Sequence, residues 1–166
     1  MQSKQDLEDF YSTPDPWGYK TNDDDENRRK YVSAIAKVFA PFPGLYDRAL
    51  DIGAGEGFMT SAIPCTDIEY IEISDKAASR VHPIYKRVKK PAGKYDFILC
   101  TGQLYEQYDY QLFLDWIYKH SSGIVLVSHY NKAGRPHDDL HYNQIFYAEF
   151  PYREGKQILR VYDSLS

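Results

Sequence analysis

The sequence predicts a doubly wound α/β domain, with a mostly parallel sheet, helices on both faces and a C-terminal antiparallel hairpin. Three observations predict it. Short apolar segments alternate with helical periodicity, a glycine cluster follows the first of these segments, and two further apolar segments close the chain. Length and composition agree, because 166 residues, 43% hydrophobic and 27% charged, suit one globular domain that spans 1–166.

The first predicted element is a helix. From Asn27 onward, four apolar residues recur at the spacing of one helical face: Val32, Ile35, Ala36 and Phe39. The acidic run 23–26 lies at its start, as the helix dipole favours, and Pro41 lies just past its end. We interpret 1–26 as an N-terminal cap segment, of which residues 13–26 form a loop that leads into this helix.

The remaining elements alternate in type. Four short apolar runs predict parallel strands: 49–52, 68–73, 95–100 and 124–127. Short helices are predicted at 58–63 and 74–80. A longer helix is capped by Asp109 and closed by Gly123, and its apolar face consists of Leu112, Phe113, Trp116 and Ile117. The segments 144–150 and 157–162 predict the closing hairpin.

Charge and cysteine content exclude several classes of protein. Twenty basic and 24 acidic residues give a formal charge of −4, so a broad cationic surface for nucleic acid or anionic lipid is not expected. Cys65 and Cys100 lack metal-ligand spacing, which predicts neither a zinc site nor a disulfide framework. Because the sequence also shows no signal-peptide core and no run of 18 apolar residues, we expect a reduced, cytoplasmic protein without a membrane partner.

The glycine cluster reads Asp-Ile-Gly-Ala-Gly-Glu-Gly-Phe over residues 51–58. Gly53 and Gly55 permit a sharp turn and close approach of a ligand, and Gly57 permits close strand-to-helix packing. A dinucleotide loop requires glycine at 58, where Phe58 stands, and the G-K-S/T of a phosphate-binding P-loop is absent. One alternative is an ordinary strand-to-helix turn with no ligand, and another is nicotinamide binding.

The G-x-G-x-G spacing, with Asp51 two residues before the first glycine and Glu72 closing the next strand, resembles the S-adenosylmethionine-dependent methyltransferases of the Rossmann-like class. The stretch Asp-Pro-Trp-Gly-Tyr at 15–19, followed by Glu26 and Arg28, resembles the NodS-like family, related to the nodulation-factor N-methyltransferase. This resemblance covers about 10–127.

The resemblance implies S-adenosylmethionine as cofactor and assigns residues to it. Asp51 would lie near the cofactor's ammonium group, directly or through water, Glu72 would accept both ribose hydroxyls, and Trp17 would fold over the pocket with Tyr19. The full implied cofactor set is Trp17, Tyr19, Asp51, Gly53, Ala54, Gly55, Gly57, Phe58, Glu72, Ile73, Thr101 and Gly102. The alternative is that Trp17 plugs the core and residues 15–16 only form a turn.

The sequence departs from the family pattern between the second predicted strand and Lys94. Only 20 residues separate Ile73 from Lys94, which is room for one helix and a short extended piece, where the family has two helices and a strand. The acid that customarily holds the adenine amino group has no counterpart there. We therefore expect a shortened Rossmann-like fold with an altered adenine contact.

The catalytic and acceptor residues are predicted at the ends of the third and fourth strands, where ligands bind in such sheets. His129 is the predicted general base, because an imidazole titrates near neutral pH, and Tyr105 and Glu106 are predicted to orient the acceptor. In each case the competing interpretation is a purely structural side chain. Substrate contacts are predicted from Tyr130, His137 and His141, the last two in a substrate lid at 131–143.

The histidines His137 and His141 are four residues apart and would share one helical face, but Pro136 favours a loop, so no metal is predicted. The loop after the third strand lacks the Asn/Asp-Pro-Pro-Tyr of base-amino methyltransferases, which disfavours nucleic-acid bases. We therefore predict methyl transfer to an oxygen or nitrogen of a small molecule, and the NodS-like resemblance points to a saccharide or amino sugar.

Two other functions stay open from the sequence. A non-catalytic S-adenosylmethionine-binding module or partner subunit would explain the shortened adenine region. An RNA methyltransferase would use the basic string between Lys86 and Lys94, which is otherwise a solvated connection.

Overall fold

The computed structural model describes residues 3–102, 110–130 and 143–164. Within these ranges seven strands form one sheet in the order β3-β2-β1-β4-β5-β7-β6. The strands are β1 (Tyr46–Ile52), β2 (Cys65–Ile71), β3 (Lys86–Arg87), β4 (Tyr95–Thr101), β5 (Ser121–Tyr130), β6 (Asn143–Tyr152) and β7 (Gly155–Asp163). The helices are α1 (Lys4–Phe10), α2 (Asp23–Phe39), α3 (Asp75–Ala78) and α4 (Tyr110–His120), with a 3₁₀ turn at Thr60–Ala62.

The pairing of the strands confirms the predicted fold class. β1 pairs in parallel with β2 on one side and with β4 on the other, and β4 pairs in parallel with β5. The hairpin β6-β7 joins β5 in antiparallel register. Because strand order reverses direction at β1, the carboxyl end of β1 is the switch point at which ligands of such sheets bind.

Alternate residues of the central strands enter two cores, one on each face of the sheet. On one face, α2 packs with Val32 and Ala36 against Phe97 and Leu99 of β4. On the other face, α4 packs with buried Leu114 and Ile117 against side chains of β1, β4 and β5. This burial on both faces explains why the strands read as nearly continuous apolar runs.

The region between β2 and β4 is as short as the sequence predicts. α3 has four residues, capped by Ser74, and β3 has two. Two of the basic residues nearby have structural partners, because Lys86 binds buried Glu69 at 2.6 Å and Arg87 binds Asp75 at 2.7 Å.

Several predicted boundaries are wrong. The helix predicted at 58–63 is only the 3₁₀ turn, and the cap segment contains α1, which the sequence pattern did not indicate. Gly123 does not close α4 but lies inside β5, where an added Cβ would be 2.4 Å from the carbonyl oxygen of Asp96. Leu112 points away from the core and is 67% exposed.

The acidic run 23–26 lies within the first turn of α2 and is not part of a loop, because Asn22 caps that helix with its side chain. Among the described residues, no helix combines the length and apolarity that crossing a membrane requires.

Candidate active site

A cavity of about 420 Å³ opens at the carboxyl ends of β1, β2 and β4. It brings together ten of the twelve residues predicted for the cofactor: Trp17, Tyr19, Gly53, Ala54, Gly55, Phe58, Glu72, Ile73, Thr101 and Gly102. Asp51 and Gly57 are not among its lining residues. Sequence reasoning gave no ligand role to the nine others that line it: Leu7, Tyr11, Arg28, Ile52, Glu56, Met59, Ile71, Phe113 and Trp116.

The glycine loop forms one wall of this cavity. Gly55 has φ +57°, and a Cβ added there would lie 3.0 Å from the hydroxyl oxygen of Tyr11. Gly57 has φ +83°, and its Cβ would lie 3.1 Å from Cγ1 of Val81. Gly55 therefore permits the close approach of the N-terminal segment, whereas Gly57 permits the packing of the chain that follows α3.

The carboxylate of Glu72 is held at the cavity by two backbone groups. The N–H of Gly55 donates to Oε2 at 2.7 Å, and the N–H of Ser74 donates to Oε1 at 2.8 Å. Each carboxylate oxygen has a further lone pair. Glu72 can therefore accept two more hydrogen bonds in a fixed orientation, as recognition of a vicinal diol requires.

Asp51 lies fully buried at the end of β1. The hydroxyl of Thr60 donates to its Oδ2 at 2.6 Å, while Oδ1 has no hydrogen-bond partner. Burial raises the pKa of this carboxyl to about 7, against an ordinary value of 3.8. An unpartnered, buried carboxylate oxygen of this kind suits a cationic donor.

Arg28, in the first half of α2, supplies the opposite charge. Its side chain is 4% exposed, and its Nη2 lies 3.1 Å from Oδ1 of Asp25. The guanidinium lies 4.9 Å from the ring centroid of Tyr19 and 5.3 Å from that of Tyr152, and its Nε has no hydrogen-bond partner. Arg28 belongs to the motif that carries the family resemblance, so the sequence contained a signal for it.

Residues 11–21, here called the cover segment, fold over the cavity. The rings of Trp17 and Tyr19 are stacked 6.1 Å apart, and Tyr19 lies 5.5 Å from Phe58 of the glycine loop. Polar contacts hold the segment, since the N–H of Asp15 donates to Glu56 and Arg153 donates to the carbonyl oxygen of Trp17 at 2.9 Å.

Helix α4 supplies an aromatic edge of the cavity. The rings of Phe113 and Trp116 are stacked 6.1 Å apart at 14°. Both were predicted on the apolar face of this helix; they pack against the edge of the core and also line the cavity, while Leu114 and Ile117 are fully buried. Residue spacing alone does not predict this contact. It indicates which face of a helix is apolar, but not which part of that face lies beside the end of the sheet.

Of the residues predicted for catalysis and substrate binding, the structure describes His129 and Tyr130, and neither lines this cavity. His129 is 4% exposed, pairs with Ile158 of β7 and is not among the cavity's lining residues. Tyr130 makes an edge contact with Tyr152 at 5.6 Å and also lies outside the lining. Tyr105, Glu106, His137 and His141 lie outside the described residues, so the roles of all six stay predictions.

Comparison with known protein families identifies the family of this chain. The model of a methyltransferase domain family matches residues 25–164. The chain belongs to this methyltransferase family. No curated protein matches it.

Solved structures of other methyltransferases share the fold of this methyltransferase. The N-methyltransferase NodS from Bradyrhizobium japonicum WM9, in complex with S-adenosyl-L-homocysteine, aligns with a TM-score of 0.76 at 14% identity, over 96% of this chain and 97% of that chain. Magnesium protoporphyrin IX methyltransferase (ChlM) from Synechocystis PCC 6803, with bound SAM, aligns with a TM-score of 0.74 at 13% identity, over 98% of this chain and 97% of that chain. The CurJ carbon methyltransferase aligns with a TM-score of 0.69 at 14% identity, over 99% of this chain and 62% of that chain.

The methyl donor of this methyltransferase is S-adenosylmethionine, as the family and the ligands of the NodS and ChlM structures indicate. The residues present fit that molecule. Oδ1 of Asp51 and Nε of Arg28 are buried, unpartnered and of opposite charge, which suits a zwitterionic amino-acid group. Glu72 presents the fixed carboxylate that a ribose diol requires.

Proposed function

We propose that this methyltransferase transfers the methyl group of S-adenosylmethionine to an oxygen or nitrogen of a small hydroxylated molecule, a saccharide or amino sugar. The observation that carries the transfer reaction is that Glu72 and Arg28 line one cavity, while Asp51 lies buried directly before its lining residues Ile52 and Gly53. Glu72, Asp51 and Arg28 complement, in turn, the ribose, the ammonium and the carboxylate of that cofactor.

Each group has a defined task in the proposal. Glu72 binds the ribose hydroxyls while its backbone contacts keep the glycine loop closed. Asp51 accepts from the ammonium, directly or through water, and Arg28 donates to the carboxylate from between two tyrosine rings. The stacked rings of Phe113 and Trp116 provide the flat apolar surface that a purine requires.

The bound cofactor supplies an electrophilic methyl group on a sulfonium. The chain aligns the acceptor, excludes water and removes a proton, since an in-line displacement needs little else from the protein. The cover segment excludes water above the cavity. His129 is the proposed proton acceptor, because it follows Ser128, which pairs with the cavity residue Thr101, and Tyr105 and Glu106 are proposed to orient the acceptor.

The choice of acceptor rests on the NodS-like motif at residues 15–19. The structures that share this fold include an N-methyltransferase, a magnesium protoporphyrin IX methyltransferase and a carbon methyltransferase, so the fold is compatible with several acceptors. A hydroxylated acceptor also suits the half-buried Tyr130, which combines an apolar ring with a polar tip.

A second candidate function is a non-catalytic S-adenosylmethionine-binding module. The four-residue α3 and the two-residue β3 favour it, because they reduce the part of the fold that flanks the adenine. Binding without turnover distinguishes this candidate from the enzyme.

The test combines calorimetry with a product assay. We expect S-adenosylmethionine and S-adenosylhomocysteine to bind, and S-adenosylhomocysteine to be released when saccharides and amino sugars are supplied. Mass spectrometry of the acceptor then separates O- from N-methylation. Binding without release on hydroxyl or amine acceptors would favour the module, and release with RNA alone would overturn the proposed acceptor class.

A further inference from the structure

A second cavity, of about 380 Å³, adjoins the cofactor cavity. The two share five lining residues, which thus form a partition between them: Tyr11, Trp17, Tyr19, Glu56 and Phe58. The walls that belong to the second cavity alone include Lys20, Arg29, Ser61, Arg80, His82 and Tyr85. None of these six has a task in the methyl transfer proposed above.

The two carboxylates at this second cavity are already occupied. Asp15 accepts from the backbone N–H groups of Tyr19 and Lys20, at 2.8 and 3.0 Å. Glu56 accepts from the N–H of Asp15 and from Nη1 of Arg80, the latter at 2.6 Å. Arg80 and Glu56 therefore neutralise each other, whereas each oxygen of Asp15 is hydrogen-bonded to one backbone N–H.

The positive groups are less occupied. Lys20 is exposed and has no ion pair with any residue of the described ranges. Arg29 pairs with Glu26 at 3.5 Å through Nη1 and donates to the hydroxyl of Ser61 at 3.2 and 3.3 Å, and its guanidinium lies 5.8 Å from the ring of Phe58. Nδ1 of His82 accepts from the N–H of Ile84 at 3.3 Å, which leaves the proton of a neutral ring on Nε2 as a donor.

We propose that this second cavity binds a small molecule made of a ring and one acidic group, such as an aryl or glycosyl phosphate. Lys20, Arg29 and His82 supply donors for the acidic group. The rings of Tyr85 and Phe58 supply faces on which the ligand's ring stacks.

Occupation of the second cavity favours binding of the cofactor. Trp17 and Tyr19 line both cavities, so a ligand in the second one contacts the cover segment in the conformation that closes the first. Two ligands that stabilise one arrangement of a shared segment raise each other's affinity, and the factor is the same in both directions.

The test uses phenyl phosphate as the ligand. Inorganic phosphate probes the contribution of the acidic group alone, and phenol probes that of the ring alone. In calorimetry we expect phenyl phosphate to bind the full chain about tenfold more tightly than either probe. Arg29→Gln and Lys20→Gln are each expected to weaken it about tenfold, whereas Lys30→Gln, a change at an exposed neighbour of Arg29 on α2, leaves it unaltered. Saturating phenyl phosphate is expected to lower the Kd of S-adenosylhomocysteine about fivefold.

Three results would overturn the inference: equal affinity for phenyl phosphate in Arg29→Gln and wild type, competition between phenyl phosphate and S-adenosylhomocysteine, or no binding at millimolar concentration. The measurements on phenyl phosphate alone need neither cofactor nor turnover. A failure of the proposed methyl transfer is therefore distinguishable from a failure of this second site.

Discussion

At the scale of single residues, the buried carboxyl of Asp51 makes the stability of the protein depend on pH. Its pKa is about 7 in the folded chain and 3.8 in the reference state, so the unfolded chain ionises first as pH rises. The free energy of unfolding therefore loses a contribution of up to about 4 kcal/mol between pH 4 and pH 7. Above pH 7 both states are ionised and this loss is complete.

We predict that Asp51→Asn removes this loss. Asparagine still accepts from the hydroxyl of Thr60, so the local hydrogen bond persists. Urea unfolding at pH 4 to 8 measures the difference between variant and wild type, which is expected to grow in favour of the variant as pH rises to 7. Asp67→Asn, at an exposed site at the start of β2, is the control, and parallel curves for wild type and Asp51→Asn would contradict the prediction.

Glu72 is the residue on which cofactor affinity depends most directly. We predict that Glu72→Ala weakens the binding of S-adenosylhomocysteine by about 1.5 to 3 kcal/mol, because charge-assisted hydrogen bonds to the ribose are lost. The same change also frees the N–H of Gly55. Glu72→Gln keeps a hydrogen-bond acceptor without the charge. Its Kd for S-adenosylhomocysteine, measured by calorimetry, is expected to lie between those of wild type and Glu72→Ala. An unchanged Kd for Glu72→Ala would mean that the ribose is held elsewhere.

At the scale of elements, the β6-β7 hairpin anchors both the cover segment and Arg28. Arg153, at its tip, donates to the carbonyl oxygen of Trp17 and, at 2.7 Å, to Oδ2 of the buried Asp25. We predict that Arg153→Ala raises the Kd of S-adenosylhomocysteine about 2- to 30-fold, although Arg153 does not line the cofactor cavity.

Lys156→Gln is the matched control, because Lys156 pairs with Glu149 within the same hairpin at 2.8 Å and contacts no residue of the cover segment among the described residues. The readout is the Kd and the dissociation rate of S-adenosylhomocysteine. Equal effects of the two variants would show that the hairpin acts through general stability alone.

Helix α4 offers a second element-level test, of the purine surface. Trp116→Ala is expected to weaken S-adenosylhomocysteine about 5- to 150-fold, the range of one lost base-to-aromatic stack. Leu112→Ala on the same helix is the control, since Leu112 is 67% exposed and outside the cavity. If both variants bind equally well, the purine does not stack on this helix.

The elements differ in how far the sequence predicts them, for a physical reason. α2 and the parallel strands bury regular faces, so periodicity reveals them. α1 buries no residue, and contacts distant in sequence help to hold it, such as those of Glu8 with Ser74 and Asp75. No local pattern records such contacts, which is why the sequence did not indicate a helix there.

For the molecule as a whole, the topology gathers most of the residues predicted for the cofactor at one cavity, whereas His129 and Tyr130 lie outside its lining. Glycine turns and an acid at a strand end are local features, and the topology then places them at one edge of the sheet. Whether a strand-end side chain such as His129 faces the cavity depends on strand length and twist, which spacing does not determine. Arg28 shows the same limit, because the two rings that flank it, Tyr19 and Tyr152, come from opposite ends of the chain.

The thermal stability of the whole molecule indicates which cofactor it binds. A ligand that binds only the folded chain stabilises it by about 2.7 kcal/mol at a hundredfold excess over Kd, which for a chain of this size raises Tm by about 5 to 10 °C. We expect this shift with S-adenosylhomocysteine at pH 8. NADH is the control ligand, because Phe58 occupies the position where a dinucleotide loop requires glycine. Glu72→Ala is expected to need a higher concentration of S-adenosylhomocysteine for the same shift. A shift with NADH alone would assign the glycine loop to a dinucleotide and remove the basis for methyl transfer.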